Sequence, residues 1–219
     1  MGSRRFADRR AAGRALGEAL SGRVTGDVLV LGLPRGGVVV AAEVAAILGA
    51  PLDVVVVRKL GLPWQPELAM GAIAGVGDTV ETVRVESVLA SADVPPADFE
   101  QIRRRELVEL QRRELVYRDG RPPVPVTGRP VVLVDDGLAT GATMRAAVVA
   151  VRRQSPRSIT VAVPVGSPRA CEALTADVDD VLCLVAPRSF RAVGQAYADF
   201  APTTDEEVRT ALRDGPATM

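Results

Sequence analysis

Short, continuous apolar runs alternate along this chain with longer stretches in which apolar positions recur every third or fourth residue. Val28 to Leu33 is one such run, the pattern of a strand buried on both faces. Gly36-Gly37 punctuates it, and an Ala-rich helix follows, closed by Gly49-Ala50-Pro51. Leu52 to Val57 predicts a second buried strand. Strand, helix and strand in that order signal a parallel sheet. Ahead of this unit, residues from about 5 to 22 are rich in Ala and Arg and predict a helix ending near Gly22.

The alternation breaks between about 60 and 125. Met70 to Ala74 and Thr79 to Val85 predict two arms of a hairpin around Gly75 to Asp78. Residues 97–118 predict a long charged helix, with Phe99, Ile102 and Leu110 on its apolar side, ended by Arg121-Pro122-Pro123. Its spacing pairs Glu100 with Arg104 and Glu109 with Arg113, as on a solvated, ion-paired face. Trp64, between Pro63 and Pro66, lines a pocket or shields an apolar edge.

The strand–helix rhythm then resumes. Val131 to Val134 is a strand, and Thr143 to Gln154 is a helix with Met144, Ala147, Val148 and Val151 on one face. Ile159 to Val165 and Val181 to Val185 are strands. Ser167-Pro168 is an N-cap and first-turn pair for a short helix, and Thr204 to Glu207 is a capping box opening a last one. The fold class expected is α/β, with a parallel Rossmann-like sheet. A single domain over residues 1–219 is expected, with a core of about 24–190 and a helical and hairpin insertion of about 66–125.

Composition narrows the chemistry. With 219 residues, 47% hydrophobic and 25% charged, the chain has ordinary globular composition. Charges balance at 27 and 27, which offers no basic field for nucleic acid. The polar start, with Arg4, Arg5, Asp8, Arg9 and Arg10, is not that of a signal peptide. No apolar run reaches the roughly 18 residues of a membrane span. A cytoplasmic protein is expected. Cys171 and Cys183 read as two small buried thiols, too few for a metal site of their own. The absence of histidine excludes a Ser-His-Asp triad and a His general base. Of the 27 Lys and Arg residues one is lysine, Lys59, leaving 26 arginines. A compact ammonium at that one place points to a site that a planar guanidinium suits less well.

The segment Val131-Val132-Leu133-Val134-Asp135-Asp136-Gly137-Leu138-Ala139-Thr140-Gly141-Ala142-Thr143 carries the strongest chemical signal. It ends a buried strand in two carboxylates, where ligands bind in open α/β sheets. Small residues and hydroxyls then open a helix. Amides at a helix start lack internal partners, and the helix dipole is positive there, which suits a phosphate. The carboxylates suit sugar hydroxyls, and a diol beside a monophosphate is a ribose 5-phosphate. It is not the ATP-type phosphate loop, which needs Gly-Lys-Ser/Thr.

These thirteen residues resemble the signature of the type I phosphoribosyltransferases, which bind 5-phosphoribosyl-1-pyrophosphate (PRPP). The resemblance implies that Asp135 and Asp136 hold the ribose hydroxyls. It implies that Ala139, Thr140, Gly141, Ala142 and Thr143 bind the 5-phosphate. Leu33-Pro34-Arg35-Gly36-Gly37 resembles the family's pyrophosphate loop, and Arg58-Lys59 resembles its Arg-Lys pair in contact with pyrophosphate. The catalytic set implied is Arg35, Lys59, Asp135 and Asp136. Magnesium is the implied cofactor, bridging pyrophosphate and ribose oxygens, with Asp135 and Asp136 near it only indirectly. A mobile loop commonly excludes water in the family, and residues 70–87 lie in its place.

Residues 190–200 resemble the C-terminal hood of the 6-oxopurine branch, a hood of about 186–202 here. By that match Phe190 stacks on a base and Asp199 faces its edge. Two departures count against an oxopurine. Ala139 stands where that branch has an acid/base Asp, and no lysine remains to read a 6-oxo group. Two functions are therefore expected in order: transfer of a phosphoribosyl group to a base or other small nucleophile with release of pyrophosphate, or non-catalytic sensing of PRPP or a nucleotide. The partners expected are PRPP and an acceptor, with a homodimer, and with neither nucleic acid nor a membrane.

Overall fold

In a computed structural model, residues 5–77 and 79–215 are described. Arg4 of the polar start and Asp78 of the expected turn lie outside them. The elements run in the order α1 (Arg9–Leu20), β1 (Leu29–Gly32), α2 (Gly36–Leu48), β2 (Leu52–Val54), β3 (Val56–Leu62), β4 (Gln65–Val76), β5 (Thr79–Arg84), α3 (Glu86–Ser91), α4 (Pro96–Arg118), β6 (Pro130–Val134), α5 (Ala142–Arg152), β7 (Ser158–Val165), α6 (Pro168–Leu174), β8 (Asp180–Val185) and α7 (Asp205–Asp214).

Five strands form a parallel sheet in the order β2-β1-β6-β7-β8. Helices cover both faces, and strand side chains alternate between them. Val30, Val132 and Val134 face one way, towards α1, α2 and α7, together with Leu16, Val44 and Leu212. Leu29, Leu31, Val131 and Leu133 face the other, towards Met144, Ala147 and Val151 of α5 and Leu174 of α6. Strands so enclosed are apolar at every position, which is why they read as unbroken runs.

The excursion begins at Val56, earlier than the expected 66. The single strand expected over 52–57 is split. Leu52 to Val54 pairs with β1, and the chain then leaves the sheet to build a second, antiparallel one, β3-β4-β5. The expected hairpin is β4 with β5, but β4 extends back to Gln65 and pairs with β3 over most of its length. Arg58, Lys59 and Gly61 hid β3, because they break the apolar run; the strand is only partly covered and tolerates polar positions.

α4 matches the expected helix and ends at Arg118 with Asp119 left-handed. Glu109 pairs with Arg113 at 2.7 Å, but Glu100 takes Arg103, three residues on, rather than Arg104. At its far end Arg118 pairs with buried Asp53 at 3.0 Å, which also accepts from the Val124 amide. α6 is capped by Ser167 and α7 by the expected Thr204–Glu207 box.

Candidate functional site

β1 leads through α2 to β2 on one side of the sheet, and β6 leads through α5 to β7 on the other. The chain direction thus diverges between β1 and β6, and the crevice beyond their C-terminal ends is where open α/β sheets bind ligands. The two motifs picked out above, 33–37 and 135–143, are the loops leaving these two neighbouring strands. Their closeness is atomic. A methyl added at Gly36 would overlap Asp136 Oδ2, and one at Gly37 would stand 2.8 Å from Asp135 Cα and Oδ1. Only glycine lets the first turn of α2 lie against both carboxylates. The Pro34–Arg35 peptide in this loop is cis.

Each carboxylate has one oxygen engaged. Asp135 Oδ1 accepts from the Asp136 amide at 2.8 Å, and Asp136 Oδ2 accepts from Arg9 Nε at 2.8 Å. Asp135 Oδ2 and Asp136 Oδ1 accept from no described residue. Burial holds Asp135 well above the usual carboxylate range, and the neighbouring Asp136 charge adds to it. Burial also raises Asp136, which Arg9 partly offsets.

Unclaimed amides flank the pair on both sides. In the 135–143 loop, Leu138 bridges to Gly166, and Ser167 Oγ donates to the Ala139 carbonyl at 2.8 Å. Those contacts pin the loop, yet no described group accepts from the amides of Ala139, Thr140 or Gly141. Gly141 is left-handed at φ 79° and starts α5, and Thr140 Oγ1 weakly caps the Ala142 amide at 3.4 Å. Thr143 lies in the first turn of α5. In the other loop the amides of Arg35, Gly36 and Gly37 are likewise unclaimed by described groups, and Arg35 begins α2 without a side-chain cap. Arg35 is half-exposed, its guanidinium 3.9 Å from Asp205.

Two residues at the site escaped sequence reasoning. Arg9, largely buried, reaches in from α1. Besides Asp136 it donates to the Ala201 carbonyl at 2.8 Å, and its guanidinium lies 3.9 Å above the Phe200 ring. Tyr197 donates from Oη to the Asp136 carbonyl at 2.5 Å and stacks on Phe200 at 4.9 Å. Burial raises Tyr197, and the Asp136 charge raises it further. A sequence signal for Arg9 existed in Arg9, Gly13 and Gly17, which share a helix face at i, i+4 and i+8. A Cβ on either glycine would come within 3.0 Å of Val40, Glu43 or Ile47 of α2, so their absence of a side chain brings α1 close enough for Arg9 to arrive.

Phe190 and Asp199 sit in the hood. Phe190 is half-buried and packs on the cluster of Phe6, Val165 and Tyr197. Asp199 is exposed and accepts from the Ala201 amide at 3.0 Å. Val193 of the hood presses on Gly137.

Arg58 and Lys59 fall elsewhere. Both line a cavity of about 540 Å³ between the β3–β4 hairpin and α4, with Asp98, Ile102, Arg105 and Glu106; that lining includes no residue of 33–37 or 135–143. Arg58 pairs with Glu106 at 2.6 Å, whereas Lys59 is exposed and has no ion-pair partner among the described residues. Trp64, at the hairpin turn, is 60% exposed. Cys171 and Cys183 are half-buried rather than buried. They lie beside Gly166; Cys183 Sγ donates to the Val185 carbonyl at 3.3 Å, and the interaction between the two thiols lowers Cys171 and raises Cys183.

Among the described residues no cluster of three or more His, Cys, Asp or Glu could hold a metal ion. Asp135 and Asp136 would hold a magnesium ion only indirectly, through oxygens of a bound ligand or of water. No described helix is long and apolar enough to cross a membrane.

Comparison with known proteins bears on the family and the fold. Two Mycobacterium tuberculosis proteins, from strains CDC 1551 and H37Rv, are each 47% identical over 203 residues. Both carry the name "putative phosphoribosyl transferase". That match covers 93% of this chain and 45% of each relative, so the chain spans about half their length. The crystal structure of TT1426 from Thermus thermophilus is 47% identical with a TM-score of 0.84, covering 97% of this chain and 100% of that one. Residues 5–200 match the family model described as the phosphoribosyl transferase domain, and the chain belongs to that family.

Proposed function

We propose that this protein binds PRPP across the crevice between β1 and β6 and transfers its phosphoribosyl group to a small nucleophile, releasing pyrophosphate. One observation carries the reading: two carboxylates, each with an oxygen left open, stand between two sets of unclaimed amides. A vicinal diol has two O–H donors for the two open oxygens. Phosphate at its 5-position has the amides of 139–141 and the hydroxyls of Thr140 and Thr143 as donors. Pyrophosphate at C1 has the amides of 35–37 and the charge of Arg35.

In the reaction the C1–O bond breaks with its electron pair leaving on pyrophosphate, and the nucleophile's lone pair forms the new bond at C1. Donors fixed where negative charge grows favour that step. Magnesium, when bound with PRPP, supplies further positive charge at the pyrophosphate. Lys59 belongs to the catalytic set if the hairpin carries it to the crevice, in keeping with its lack of a partner among the described residues. Phe190 and Asp199 are assigned to the acceptor base. The same reading takes the protein to act in the cytoplasm on small molecules, with residues 1–219 forming one domain and two copies pairing as a homodimer, and with neither nucleic acid nor a membrane as partner.

A second reading, sensing without turnover, draws on Arg58, whose charge is already answered by Glu106, and on Ala139 in place of an acid/base. Calorimetric titration with PRPP and Mg²⁺, against ribose 5-phosphate, tests the site. Wild type is expected to bind both, and Asp135→Asn/Asp136→Asn to lose about 100-fold, as two charge-assisted hydrogen bonds allow. No binding by folded wild type would sink both readings. Pyrophosphate release with candidate acceptors separates enzyme from sensor.

A further inference from the structure

Arg9 lies outside every motif that announced the site, yet it bonds directly to one of the two carboxylates. Its guanidinium takes Asp136 Oδ2 and the Ala201 carbonyl, and its Cζ lies 3.9 Å from the centre of the Phe200 ring. It also stands beside Gly36, so one side chain touches both loops of the crevice and the hood. The segment before α1 is stitched to the hood by backbone bonds, Phe6 to Ala196, Ala198 to Phe6 and Asp199 to Ala7. Tyr197 meanwhile holds the Asp136 main chain. Asp136 is therefore clamped at its carbonyl by the hood and at its carboxylate by α1.

A clamp of this kind has a geometric result. A free carboxylate turns about its last torsion and offers either oxygen in any direction. With Oδ2 fixed, Oδ1 has one direction in which to accept. We infer that Arg9 is a positioning residue, one that fixes Asp136 so that its second oxygen receives a hydroxyl of the bound sugar. This rests on the reading of Asp135 and Asp136 as the diol site. Arg9 touches no reacting atom; it acts through Asp136 and has no hydrogen bond or ion pair with residues 139–143, the 5-phosphate segment.

That separation makes the role testable. Affinities for inorganic phosphate and for ribose 5-phosphate are measured by calorimetry in wild type, Arg9→Gln and Arg9→Lys, with the melting temperature of each. Wild type is expected to prefer ribose 5-phosphate. Arg9→Gln is expected to lose about tenfold or more of that preference, the worth of one hydrogen bond to a charged group, with phosphate affinity unchanged. Arg9→Lys returns a cation to Asp136 but not the planar fork, and is expected to fall between the two. If Arg9→Gln weakens both ligands equally in step with its melting temperature, Arg9 merely fastens α1, and the inference is overturned. An intact preference in Arg9→Gln would overturn it too. Wild type with no preference for the sugar would remove the diol reading itself and the inference with it.

Discussion

The carboxylate crevice and the hairpin cavity both gather charge, but they hold it differently. In the crevice the protein's own bonds are few and specific: one oxygen per carboxylate, one Arg, one Tyr, and rows of amides left over. Around the hairpin, charges answer each other within the protein. Arg58 is tied to Glu106, and the faces of α4 carry Arg–Glu pairs. Unspent hydrogen-bonding capacity marks a binding site, whereas satisfied pairs mark scaffolding. Lys59 is the exception on the hairpin side, being exposed and unpaired among the described residues.

The largest effect should come from that exception. Lys59→Ala is expected to slow pyrophosphate release about 30- to 1000-fold, the roughly 2–4 kcal/mol that one electrostatic donor contributes to a transition state. Its melting temperature should hardly move, because exposed side chains without partners contribute little to folding. Unchanged turnover would take Lys59 out of the mechanism and leave the hairpin as scaffold alone.

A next, smaller effect separates the regions by glycine. At Gly36 a methyl would overlap Asp136 Oδ2 and stand 2.6 Å from Arg9 Nε; at Gly61 it would overlap the Pro66 carbonyl and stand 2.7 Å from Pro66 Cα. Gly36→Ala and Gly61→Ala should each cost about 1–3 kcal/mol through overpacking, a fall of about 2–4 °C per kcal/mol in thermal melting. Only Gly36→Ala should also lose ribose 5-phosphate affinity while still folded. Equal ligand affinity in the two variants would dissolve the distinction.

How legible each region was follows from the range of its contacts. The crevice is built from loops that directly leave apolar strands, so residues 33–37 and 131–143 announced themselves locally, and the parallel sheet brought them together. Arg9 and Tyr197 were hidden because their partners lie 127 and 61 residues away. Only the small face of α1 hinted at a close approach. β3 was hidden for another reason. A half-covered strand in an antiparallel sheet obeys no continuous apolar pattern, and Arg58-Lys59 read as the end of a strand when it lies within one.

The smallest expected effect concerns what the crevice costs the fold. Asp53, on β2 of the parallel sheet, has its charge answered by Arg118 and the Val124 amide. Asp135 has no cation of its own among the described residues, and burial with the Asp136 charge holds it well above the usual range. A carboxyl whose pKa is higher in the native state binds its proton more tightly there, so ionising it destabilises the fold. That loss is absent below the unfolded value of about 4, grows as pH rises towards the folded value and is complete above it. Asn at 135 is neutral throughout and keeps an oxygen for the Asp136 amide. Asp135→Asn should therefore melt about 2–4 °C above wild type at pH 8, an effect on the order of 1 kcal/mol, with the gap closing towards pH 4. It should do so while losing ribose 5-phosphate. A variant less stable than wild type at pH 8 would mean that Asp135 holds the fold together as Asp53 does, and that the crevice stores no such strain.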